Sequence, residues 1–114
     1  MKMELAMSHY LFIQSQDPFT EIHTHHQFAL IGQLHDAGHQ VVVLLVQNGV
    51  TPARRDAKSD LFDDIVRRGV TVRADHFALM QREIGDADLK DQIGVADMDL
   101  VIDAMLAGHK VIWH

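Results

Sequence analysis

The chain has 114 residues, 47% hydrophobic and 23% charged, which is the composition of one ordinary globular domain and not of a disordered segment. Its formal charge of -6 leaves no basic footprint for a nucleic-acid partner. Cysteine is absent, which excludes disulfides, thiolate metal sites and a thiol nucleophile of its own.

At the N-terminus, Glu4 interrupts Met1-Lys2-Met3 where a signal peptide would continue its apolar run. The longest apolar stretch, 41–46, is far short of the ~20 residues a membrane helix needs. These features predict a soluble cytoplasmic protein with neither a membrane nor a nucleic-acid partner.

His9–Gln14 reads as the first strand. Asp17-Pro18 is a helix-start signal, and the helix is expected to run over 17–37 with Ile22, Ala29, Leu30 and Leu34 on its apolar face. Gly38-His39 then leads into the valine-rich strand 40–46. A second helix is expected over 56–68, with Leu61, Phe62, Ile65 and Val66 inward, and Gly69 leads into a strand over 70–74. A short helix over 77–83, a polar loop over 85–92 and an extended piece at 93–95 follow. Asp97 is placed to cap a last helix carrying Leu100, Val101, Ala104 and Met105, after which Gly108-His109 opens the final strand over 110–113. Glycine after each of three helices takes the left-handed conformation that closes a last turn. Apolar strands alternating with helices imply an α/β fold in which helices cover both faces of a mostly parallel sheet, within a single domain over 1–114.

In such sheets, function gathers outside the carboxyl ends of the strands. Gln14, Ser15, Gln16 and Asp17 follow the first strand, Gln47, Asn48 and Gly49 the second, and Asp75 and His76 the third. Gln14, Asp17, Asn48, Asp75 and His76 are therefore the candidate ligand-binding residues. Asp17 and Asn48 fit equally well as helix-start and turn residues. An acid beside an imidazole at a strand end could orient a general base, although adjacent strand residues point to opposite faces. The sequence contains no GxxxxGK[ST], GxGxxG or GxSxG, and its serines lack a nucleophile-elbow setting.

Nine histidines are present, the densest group being His23-Thr24-His25-His26. His23 and His26 share a helix face, so two imidazoles could meet one divalent metal. A third ligand has no counterpart in the pattern, and a solvated or subunit-facing surface explains the group as well. His39 and His109 read as caps favoured by the helix dipole. Asp97, Asp99 and Asp103 make an acidic, solvated face. The methionines show no groove-forming stripe, and Met80 and Met105 read as core filler.

Residues 14–19, Gly38-His39 into 41–46, and Gln47-Asn48-Gly49-Val50 together resemble the DsrE/DsrF-like family of small sulfur-relay proteins. The similarity continues through 68–72, Gln81-Arg82-Glu83-Ile84, and 93–95 to 110–112. It spans almost the whole chain by element order and weak local motifs. The resemblance implies a flavodoxin-like three-layer fold of about five strands, trimeric or hexameric homo-oligomers, and a cytoplasmic place in sulfur trafficking. Active members carry a persulfide on a cysteine just after the third strand. Alignment over 70–84 puts that position at or next to Asp75, which cannot carry sulfur. The expectation is thus a non-catalytic assembly or docking subunit without a cofactor, partnered by a cysteine-bearing relay protein. The alternative is a small-ligand or metal-binding protein that reuses the crevice or the histidine group. An enzyme working through Asp75 and His76 has the least support.

Overall fold

The computed structural model describes residues 7–114; the readings made on 1–6, including Met1 and Met3, lie outside them. The elements in order are β1 (His9–Gln14), α1 (His23–Asp36), β2 (Gln40–Leu45), a 3-10 segment (Gln47–Ala53), α2 (Asp60–Arg67), β3 (Thr71–Asp75), α3 (His76–Gln81), a 3-10 turn (Asp86–Asp88), β4 (Gly94–Ala96), α4 (Asp99–Leu106) and β5 (Lys110–Trp113). The five strands form one sheet in the order β4-β3-β2-β1-β5, and every pairing is parallel. This is the parallel α/β arrangement that the element pattern predicts and the flavodoxin-like fold that the resemblance implies.

The repeated helix–glycine–strand signal works as anticipated. Gly38, Gly69 and Gly108 have φ of 94°, 97° and 77°. The amide after each glycine reaches back to a helix carbonyl: His39 to Leu34, Val70 to Ile65, and His109 to Ala104. This pattern satisfies carbonyls the helix would otherwise leave unpaired and turns the chain directly into the next strand.

Alternation along the strands divides the core in two. Phe12, Val43, Leu45, Val72 and Ala74 point to a first face, packed by Phe28 and Ile31 of α1, Phe62 and Ile65 of α2, and Ala78 and Leu79 of α3. Leu11, Ile13, Leu44 and Val46 point to a second face, which among the described residues is covered by the one helix α4 through Leu100, Val101 and Ala104. Lys90 ties the long connection before β4 to the first layer. Its Nζ bonds Asp63 Oδ1 at 2.6 Å and the Pro52 carbonyl at 2.7 Å, and lies 5.4 Å from the Phe62 ring centroid.

Several boundaries differ from the sequence expectation. The first helix starts at His23, because Asp17 accepts the Phe19 amide in a local turn instead of opening a helix. Phe28 and Ile31 carry the buried face of α1, while Ile22 and Leu30 are exposed. Leu61 is exposed as well, and α2 is shorter than the pattern suggested. Asn48-Gly49 belongs to a 3-10 segment, not an isolated turn. Met98 stands at the N-cap of α4, and Asp97 accepts the Asp99 amide from just outside it. Met80 and Met105 are exposed, not core filler. Among the described residues, no helix is long and apolar enough to cross a membrane.

Gly49 locks the ends of β1 and β2 together, since a Cβ there would run into the Gln14 carbonyl oxygen. Main-chain atoms cannot swing aside as a flexible side chain can. Gly49→Ala should therefore destabilise the fold by about 2 kcal/mol, read as a lower urea midpoint. Gly85→Ala should stay within about 0.5 kcal/mol, because its Cβ would meet only the Asp88 carboxylate at ordinary contact distance.

Candidate functional site

After β3 the chain enters α3 on the first face, whereas after β4 it enters α4 on the second. The carboxyl ends of β3 and β4 therefore flank the point where connections diverge, the usual place for a crevice. Asp75 ends β3 on the same side of the pleat as Thr71 and Arg73 and is only 7% exposed. Its Oδ2 accepts the Ala78 amide at 3.0 Å, which caps α3.

Beside Asp75 lies a groove of about 390 Å³, lined by Val46, Gln47, Phe77, Gln81, Met98 and Trp113 among others. Its walls are chiefly apolar, and Phe77, Met98 and Trp113 are all exposed. Gln47 forms part of the rim with φ of 50°, a left-handed conformation unusual for a side chain other than glycine. Gln47 is among the strand-end residues that the sequence singles out, whereas Phe77, Met98 and Trp113 are not. The hydrophobicity of these three blends with helix and strand patterning, and only the strand ends bring them together.

His76 faces elsewhere. It lines a second hollow of about 440 Å³ with Val95, Ala96, Asp97, Asp99, Leu100 and Asp103. The Asp75 carboxylate and the His76 ring thus serve separate hollows, and the sequence neighbours do not form an acid–base pair.

The other polar candidates act as clasps. Gln14 is 1% exposed; its Nε2 donates to the Gln16 carbonyl and lies 3.2 Å from His114 Nδ1, while its Oε1 has no partner. Asp17 Oδ1 accepts from Thr51 Oγ1 at 3.0 Å as well as from the Phe19 amide, joining the turn after β1 to the 3-10 segment. Asn48 Oδ1 accepts from the Arg82 guanidinium at 2.8 Å.

The rings of His23 and His26 sit 6.3 Å apart on α1. Among the described residues, no group of three or more His, Asp or Glu side chains is placed to hold a metal ion. The expected cap histidines have other roles. His39 Nδ1 accepts the Ser8 amide, and His109 stacks on His9 with ring centroids 4.6 Å apart. The imidazole in the last turn of α1 is His35, which bonds the Arg68 carbonyl.

No protein-family model and no curated protein matches the sequence. Several solved structures share the fold, among them the following three. The ychN protein of E. coli superposes with a TM-score of 0.83 at 15% identity, covering 95% of this chain and 100% of that one. MTH1491 of Methanobacterium thermoautotrophicum, described as a protein of unknown function, gives 0.79 at 17% identity, covering 96% and 100%. BT1422 of Bacteroides thetaiotaomicron, a conserved protein of unknown function, gives 0.70 at 13% identity, again covering 96% and 100%.

If the Asp75 carboxylate serves chiefly to cap α3, Asp75→Ala should cost about 1.5 kcal/mol by leaving the Ala78 amide unsatisfied. Asp75→Asn, which keeps an acceptor oxygen, should cost less than about 0.5 kcal/mol. Urea unfolding of both variants measures the difference.

Proposed function

We propose that this chain is a non-catalytic DsrE/DsrF-like protein, an oligomeric assembly or docking subunit related to intracellular sulfur trafficking. The observation that carries this reading is the outer surface of α4. Met98, Ile102, Met105 and Leu106 recur at helical spacing on the side away from Leu100, Val101 and Ala104, and all four are exposed, Leu106 to 83%. A helix apolar on two sides belongs between two layers, not at a surface. Val111 and Trp113 of β5 extend the apolar area on the same face of the sheet, pairing in register with the inward Leu11 and Ile13 of β1. A second copy of the chain supplies the missing layer in this reading.

The absence of sulfur chemistry on this subunit follows from residue type. Asp75, at or next to the position that the resemblance assigns to the persulfide cysteine, is engaged as a helix cap, and the chain has no thiol. The apolar groove beside Asp75 would then receive part of a cysteine-bearing partner in the cytoplasm rather than a substrate. A second reading, in which the same groove holds a small molecule, is favoured by its volume of about 390 Å³ and its Phe77 and Trp113 walls.

Sedimentation velocity tests the first reading. The wild-type chain should sediment as a trimer or hexamer at micromolar concentration. Ile102→Asp/Met105→Asp should yield a folded monomer, judged by an unchanged far-UV circular dichroism spectrum. A wild-type monomer throughout that range would contradict it.

A further inference from the structure

Away from the groove, residues 54–56, just past the 3-10 segment, and residues 82–88 after α3 line a hollow of about 440 Å³. Arg54, Arg55 and Arg82 line it, together with Asp56, Glu83 and Asp88. Three guanidiniums around one hollow stand out in a chain with a formal charge of -6.

The walls are held by main-chain bonds. The Arg55 amide donates to the Asp88 carbonyl at 2.6 Å, the Lys90 amide to the Ala53 carbonyl at 2.9 Å, and Arg54 forms a bridge with Leu89. Neutral acceptors fix Arg82: the Ala78 carbonyl at 3.1 Å and Asn48 Oδ1 at 2.8 Å. Its charge is therefore oriented without being neutralised by an acid. Arg54 makes no ion pair or side-chain hydrogen bond among the described residues, whereas Arg55 is paired with Asp91 at 2.9 Å. Two of the three guanidiniums thus remain available to a ligand.

The acids are unequal too. Asp88 accepts the Gly85 amide at 3.0 Å, while Asp56 and Glu83 have no ion pair among the described residues. Glu83 holds a φ of 54°, a costly conformation for a side chain other than glycine, at the wall of the hollow. Guanidiniums bind oxyanions through paired N–H donors. Carboxylates at the same site reject a bare polyanion and accept hydrogen bonds from hydroxyl groups.

We propose that this hollow binds a small hydroxylated oxyanion. Arg54 and Arg82 would grip its phosphate or carboxylate group, and Asp56 and Glu83 would accept from its hydroxyls. The hollow shares no lining residue with the apolar groove.

Glycerol 2-phosphate and glycerate, titrated into the ¹⁵N-labelled full chain at constant ionic strength, test the assignment, with glycerol as the uncharged control. At least one anion should shift the amides of 54–56 and 82–88 saturably, and glycerol should not; which anion does so identifies phosphate or carboxylate as the recognised group. Arg54→Gln should weaken that binding about tenfold, while Arg67→Gln on the exposed side of α2 should leave it unchanged. Because the Arg54 side chain makes no bond among the described residues, unchanged shifts elsewhere verify that the variant is folded. The proposal fails if neither anion saturates, if Arg54→Gln binds like wild type, or if the two variants lose affinity equally.

Discussion

A parallel sheet has to be covered on both faces, because its strands carry apolar side chains up and down. Here the connections between the first four strands put α1, α2 and α3 on one side, and only the last crossover crosses to the other. One helix of eight residues, α4, is left to cover the second face. It does so over β1 and β2 through Leu100, Val101 and Ala104, and leaves β5 with Val111 and Trp113 exposed. The second apolar side of α4, the exposed end of β5 and the open groove at the strand ends all follow from that uneven division.

The same division separates the two polar residues that end β3 and begin α3. Asp75 stays at the sheet, where its carboxylate stands in for a main-chain partner of Ala78. His76 emerges toward α4 and its aspartates. A single step along the chain thus gives one residue a structural bond and the other a place in a separate hollow, which explains why their proximity in sequence produces no shared chemistry.

Much of the fold was legible in the sequence because its signals are local. The glycine after each of three helices and the β-branched run after that glycine locate β2, β3 and β5, and the alternation of elements implies the parallel sheet. The start of α1 departs from the sequence pattern because Asp-Pro announces a turn as readily as a helix, and Asp17 makes the turn. Met105 departs from the pattern for a different reason. Periodicity identifies an apolar face but not what faces it, so a stripe turned outward looks the same as one turned to the core. The strand-end rule found Asp75, while its capping role emerged only with the Ala78 amide in place. The arginine hollow was invisible because Arg54 and Arg82 lie far apart in sequence and come to line one hollow only in the fold, where Arg54 bridges Leu89 and Arg82 bonds Asn48.

Trp113 provides the most direct probe of how the second face is covered, because it is the sole tryptophan and is 59% exposed in the single chain. Acrylamide quenching of its fluorescence, followed from nanomolar to high micromolar protein, reports whether another copy covers that face. Coverage predicts blue-shifted, poorly quenched emission at high concentration that reverts on dilution. Fully quenchable, red-shifted emission at every concentration would contradict it.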